Sequence, residues 1–309
     1  MAIENPAPPP HPGTPAGPSA GRPAGPGPAP RPGLPARPAP PPPKPLSGVA
    51  TIIAVGSGKG GVGKTTVAVN VAIALVKLGF RVGLIDADVY GPNVPMMLGT
   101  SRQPRLLEGN RIEPNVAHGV KVISVGFLSP GDKPMVMRGP MLHQITRQFL
   151  RQVEWGELDF LLVDLPPGTG DTVISLVQTV PLTGAVVVLT PSDVALQDAR
   201  KALEMFHQVN VPILGIVENM SQFTCPHCHQ EIDIFSKGGG ERTAKQYNVA
   251  FLGPIELDPE IRQGGDTGMP VALGGPDSAK GAPFYTVARK VAERAQAQPA
   301  KADDVFEVI

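Results

Sequence analysis

Residues 51–66 read TIIAVGSGKGGVGKTT, and this stretch decides the architecture. Thr51-Ile52-Ile53-Ala54-Val55 is a short apolar run rich in β-branched residues, as a buried strand requires. Gly58-Lys59-Gly60-Gly61-Val62-Gly63-Lys64-Thr65 then fits G-x-x-x-x-G-K-[ST] at every fixed position. Beyond it, Val67, Val71, Ala74 and Leu78 follow helical spacing. Strand, glycine-rich loop and helix in this order make a cradle for phosphate. The glycines let backbone N–H groups curl around phosphate oxygens without Cβ clashes. The helix N-terminus adds a partial positive charge there. Lys64 is expected to reach the β- and γ-phosphates of ATP, and Thr65 to place its hydroxyl on Mg2+.

Working outward, apolar runs recur at RVGLI (81–85), KVISV (121–125), DFLLV (159–163), AVVVL (185–189) and VPILGIV (211–217). Several are apolar throughout, which suits strands buried on both faces of a parallel sheet. Helical patterns alternate with them, residues 193–208 and 283–296 among these. The expected fold class is α/β, a doubly wound, mostly parallel sheet flanked by helices, with ligands at the carboxyl ends of the strands. Three runs end in a functional group at that edge: Gly56, Asp86 and Asp164. An Asp at the end of a buried strand beside such a loop reads as a direct or water-mediated Mg2+ ligand, and Asp164 takes that role. Asp86 and Asp88 follow RVGLI; one is expected to hold the metal's water, the other to orient the attacking water. Asp171 reads as a cap for the helix beginning TVISLVQ.

Composition divides the chain. Of 38 prolines, 19 lie in the first 45 residues, which hold almost no Val, Ile, Leu or aromatic residue. Residues 1–47 therefore read as a disordered Pro/Ala/Gly-rich tail, a spacer or a docking site for a proline-reading partner. Residues 48–298 read as one ATPase domain, and 299–309 as a flexible acidic C-terminus. Lys+Arg and Asp+Glu balance at 27 each, which gives no electrostatic case for nucleic acid or membrane as partner. No apolar run is long enough to span a bilayer, and MAIENPAPPP lacks a secretory pattern. The expected location is the cytoplasm.

The two cysteines, Cys225 and Cys228, stand in Cys225-Pro226-His227-Cys228-His229. Alone, C-x-x-C is a metal half-site, a redox pair or two ordinary thiols. A four-thiolate site needs four cysteines. Either His227 and His229 complete a mononuclear site, or two chains contribute two thiols each across a two-fold axis.

Taken together, GKGGVGKTT (58–66), DADVYGPN (86–93), DLPPGTGD (164–171) and ENMSQFTCPHC (218–228) resemble the Mrp/ApbC family of iron–sulfur cluster carrier ATPases. That family lies within the deviant P-loop class that also holds the Min and Par positioning ATPases, and the likeness covers about residues 49–295. The loop is similar to the K-G-G-x-G-K-T-T form that Thr66 completes. The resemblance implies that Lys59 crosses a homodimer interface to the partner's nucleotide; the alternative is a solvated loop lysine. It implies a [4Fe-4S] cluster bridging Cys225 and Cys228 of two subunits, with zinc as the alternative occupant, and delivery to apoproteins coupled to slow ATP hydrolysis. It also implies that Asn219 lies against adenine. Position 93 is Asn where Ser is common, and position 229 is His where Gly is usual. The competing readings are a positioning ATPase with an incidental C-x-x-C and a zinc-bridged, nucleotide-gated scaffold.

Overall fold

A computed structural model of the chain describes residues 43–127 and 139–298 apart from Tyr90, Thr169 and Ser236. The tail through residue 42 and the C-terminus from 299 lie outside the described residues. The six apolar runs form six strands of one eight-stranded sheet: β1 (Ile52–Gly56), β2 (Val82–Asp86), β6 (Val120–Ser124), β7 (Phe160–Asp164), β8 (Gly184–Leu189) and β9 (Ile213–Asn219). Two edge strands complete it, β5 (Asn115–Ala117) and β12 (Phe251–Ile255). A hairpin of β3 (Arg105–Leu107) and β4 (Arg111–Glu113) precedes β5, and a second, β10 (Phe223–Thr224) with β11 (Glu231–Ile232), follows β9.

The strand order is β12-β9-β8-β1-β7-β2-β6-β5, parallel throughout except for β5. From β1 the chain first builds outward through β2 and β6. It then returns to insert β7 beside β1 before building the other half from β8. The order thus reverses next to β1, and a crevice opens at the carboxyl ends of the strands there. Every residue of β1, β2, β7 and β8 is buried, since helices cover the sheet.

The helices are α1 (Lys64–Lys77), α2 (Val94–Met97), α3 (Gly139–Arg151), α4 (Asp171–Thr179), α5 (Asp193–Gln208), α6 (Gly239–Gln246), α7 (Pro259–Asp266) and α8 (Ala282–Gln296). α1 buries ten of its 14 residues because it packs against both the sheet and α8. On α8 the buried positions Phe284, Val287, Ala288, Val291 and Ala295 form the matching stripe. Buried Asn70 of α1 is satisfied on both sides: its amide donates to the Thr66 carbonyl, and its oxygen accepts the Ala272 N–H. Ser192 caps α5 by accepting the Ala195 N–H. α4 starts at Asp171 itself with Gly170 in the cap position, so Asp171 is not the cap expected of it.

Contacts with the body begin ahead of residue 48. The Arg151 guanidinium donates to the carbonyls of Lys44 (2.7 Å) and Pro45 (3.0 Å), and Leu46 packs against the core.

Candidate functional site

The glycine-rich loop leaves β1 at Gly56 and re-enters regular structure at Lys64, the first residue of α1. Two of its glycines are required by geometry. Gly63 sits at φ 78°, a left-handed conformation, and a Cβ there would meet the Asn219 amide at 2.2 Å. At Gly58, a Cβ would meet the Asp198 carbonyl oxygen of α5 at 2.0 Å, so that glycine serves helix packing. Lys59 through Thr66, Gly63 included, line a cleft of ≈350 Å³. Asp88, Asn93 and Pro167 close one part of it, and Arg262 and Asp266 of α7 another.

Strand register brings the carboxylates to this cleft. Asp164 is paired laterally with Val55 of β1 on one side and Asp86 of β2 on the other. Its Oδ1 accepts from the Lys64 ammonium at 2.6 Å and its Oδ2 from the Thr65 hydroxyl at 2.7 Å. Lys64 and Asp164 are both buried, at 6% and 0% exposure. The lysine's charge is thus compensated inside the protein. The adjoining Thr65 hydroxyl and Asp164 carboxylate are hard oxygen donors of the kind Mg2+ takes, and they fit that ion.

Asp86 and Asp88 are separated by environment. Asp86 is fully buried and accepts from the Ser124 hydroxyl (2.8 Å) and from the N–H groups of Asp88 (3.2 Å) and Val94 (3.3 Å). Burial, and then the Asp164 charge, push it up to about 7; the Ser124 and Asp88 hydrogen bonds and Lys64 pull the other way. Asp88 lines the cleft itself. Asp86 therefore braces the segment carrying Asp88, through the Asp88 and Val94 N–H groups. Ser124, on β6, was not a site candidate from sequence.

Asn219 ends β9, where its amide donates to the Val62 carbonyl of the glycine-rich loop at 2.8 Å. The preceding residue, Glu218, is also buried. Its carboxylate accepts the N–H groups of Gly238 (3.3 Å) and Gly240 (2.5 Å) at the start of α6. The chain between these points is the β10–β11 hairpin, and its loop carries the cysteines. Ser221 and Gln222 tie its base to the segment from Ile255 to Leu257.

Within the hairpin loop, the Cys225 N–H donates to the Gln230 carbonyl (3.0 Å), and the His229 N–H to the Cys225 carbonyl (2.9 Å). Cys228 is exposed and Cys225 half-buried. The Cys228 and His227 N–H groups, with the Cys228 thiol, hold the Cys225 thiol below the usual thiol range. His229 takes a left-handed φ of 57°, so a glycine would suit this position sterically. Among the described residues, no group of three or more His, Cys, Asp and Glu side chains is placed to hold a metal ion. Cys225, Cys228, His227 and His229 therefore do not assemble into the single-chain metal site that their spacing allowed.

A profile of ParA-type proteins described as the NUBPL iron-transfer P-loop NTPase matches residues 48–292. The chain belongs to that family. The iron-sulfur cluster carrier protein of Synechocystis is 51% identical over 249 residues, covering 79% of this chain and 70% of the relative. Among solved structures, the nucleotide-binding protein of Archaeoglobus fulgidus in complex with ADP is similar, with a TM-score of 0.64 and 37% identity. That match covers 72% of this chain and 88% of the other. The cell division ATPase MinD of Pyrococcus furiosus has a TM-score of 0.59 at 25% identity, covering 79% and 99%. The family and the fold together make this a P-loop NTPase. Among the described residues, no helix is long and apolar enough to cross a membrane.

Proposed function

We propose that the chain is an ATP-hydrolysing iron–sulfur cluster carrier that works as a homodimer and delivers its cluster to apoproteins. The observation that carries this reading is the pair of consecutive residues ending β9. Asn219 holds the glycine-rich loop, and Glu218 holds the far end of the hairpin that displays Cys225 and Cys228. Nucleotide chemistry and thiol ligands thus share one strand end. Names of relatives point the same way, the Synechocystis protein being called a cluster carrier.

In this reading Lys64 exchanges its Asp164 partner for the β- and γ-phosphates, and the N–H groups of Gly60 through Thr65 surround the phosphate oxygens. Thr65 and Asp164 would hold Mg2+, which when bound neutralises charge on the phosphates. Asp88 orients the attacking water, and Asp86 holds Asp88's segment in place. Lys59 of each subunit serves the partner's nucleotide. The cluster is cargo, held by two thiolates from each chain. Two thiolates fall short of the four a cluster needs, and no third donor group accompanies them among the described residues.

The test is an absorbance spectrum with iron and zinc analysis of anaerobically purified protein. About four irons per two chains are expected, together with loss of the cluster in Cys228→Ser. One metal ion per monomeric chain rejects the shared site.

A further inference from the structure

We propose that a cavity at the amino ends of β1 and β8 is the docking site for this chain's own segment Val305-Phe306-Glu307-Val308-Ile309. The inference stands apart from the carrier reading above. The cavity has a volume of ≈410 Å³, the size of a ligand pocket. It opens beside Ile52, the first residue of β1, and Thr183, which precedes β8. It therefore lies at the edge of the sheet opposite the phosphate cleft. Leu46, Val49 and Pro212 line it, and all three are only half-buried. The body thus leaves apolar surface uncovered in a concave site, which is where a further apolar group gains most from leaving water.

The occupant follows from where the chain leaves the cavity and from what it carries. Gln298, the last described residue, is part of the lining. Six residues, 299–304, separate it from Val305, and extended they reach at most about 25 Å, ample for the chain to turn back onto the lining. Four of the five residues 305–309 are large and apolar. Residues 1–42, by contrast, hold Ile3 and Leu34 as their only Val, Ile, Leu or aromatic residues. The apolar surface able to fill the cavity therefore lies beyond Gln298. Charge agrees with this choice. Arg151 reaches the rim, where it donates to the carbonyls of Pro45 (3.0 Å), a lining residue, and Thr179 (2.7 Å). Burial, and then the like charge of Arg147, hold its guanidinium below the usual arginine range. Among the described residues, neither Arg147 nor Arg151 forms an ion pair. Asp303 and Asp304 directly precede Val305, and with Glu307 they outweigh Lys301, so the segment brings the negative charge that this rim lacks.

The test uses the full-length protein, followed by amide hydrogen exchange and methyl NMR, with retained ADP binding as the check on the fold. Amides of residues 305–309 are expected to exchange tenfold or more slower in wild type than in Phe306→Asp, while Phe306→Leu keeps the protection. The Leu46, Val49 and Leu182 methyl signals should shift in Phe306→Asp. Ala50 is exposed and lines the cavity, so Ala50→Glu approaches the contact from the other side and should release 305–309 to the same extent. Unprotected amides at 305–309 in wild type overturn the proposal. Protection that survives Ala50→Glu puts the segment elsewhere and overturns it too, and protection lost on dilution assigns the segment to a second copy with the same result. If the methyl signals ignore Phe306→Asp but move when residues 1–42 are deleted, the proline-rich tail fills the cavity and the proposal fails.

Discussion

Replacing Asp164 by Asn tests the buried ion pair that joins the glycine-rich loop to β7. In the wild type the Lys64 ammonium lies 2.6 Å from Asp164 Oδ1, with 5% and 0% of the two side chains exposed. Asparagine keeps the shape and one acceptor oxygen but removes the charge. Lys64 is left as a buried cation without a counter-charge, a change that costs about 3–5 kcal/mol when one partner of such a pair is removed. The retained acceptor places Asn near the lower end of that range. For a domain of this size each kcal/mol shifts Tm by about 2–4 °C, so the nucleotide-free variant should melt on the order of 10 °C below wild type. Adding Lys64→Met to the Asn variant removes the stranded charge and should recover most of the loss. ATP without metal should also stabilise Asp164→Asn more than wild type, because its phosphates supply the missing negative charge. Thermal unfolding of the four proteins in the double-mutant cycle, with and without ATP, measures all of this. If the single variant melts with wild type and the coupling energy is near zero, the pair does not carry the weight given to it.

Other predictions concern the neighbouring groups. Asp88→Asn should retain ADP binding but lose about a hundredfold in ATP turnover, the scale of a water-orienting carboxylate; undiminished turnover would remove Asp88 from that role. The Asp86 carboxyl, followed by carbon NMR in nucleotide-free protein, should titrate near pH 7, and Asp164→Asn should lower that midpoint by removing a like charge. Because this folded-state value lies above the ordinary aspartate value of 3.8, the group alone makes the nucleotide-free fold less stable as pH rises from about 4 to about 7. A midpoint near 4 would contradict it. Deleting residues 1–42 should leave Tm unchanged. Deletion through 48 should cost about 1–3 kcal/mol, since Leu46 leaves the core and Arg151 loses two carbonyl acceptors.

Much of this fold is legible in the chain because its central strands are buried on both faces and read as unbroken apolar runs. All six such runs are strands, and the helix expected over 193–208 is α5 with the same bounds. The edges of the sheet were not legible. Strand β12 reads FLGPI, and its Gly253 and Pro254 argue against a strand; they are tolerated because β12 pairs on one side only. Strand β5 is three residues long, too short to show alternation. At the site, the motif residues were legible by type, but their relations were not. The Lys64–Asp164 pairing joins residues 100 positions apart, and each had been assigned to a ligand. Ser124 reaches Asp86 only because β6 lies beside β2, which no local pattern announces. Glu218 looked like part of a motif, while its role depends on backbone N–H groups twenty residues onward.

That last contact has a bearing on how the chain can be altered. Glu218 pins the departure and the return of the hairpin to one carboxylate, so the length of chain between them is decoupled from the sheet. Closing a longer excursion between two fixed ends costs little, about 0.6 kcal/mol for each doubling of length. The segment behaves as a cassette: its tip can be exchanged, lengthened or replaced by another ligand-bearing loop without redesigning the phosphate cradle. Residues 218, 219, 238 and 240 form its mounting, and a transplant that preserves those four should leave nucleotide binding intact.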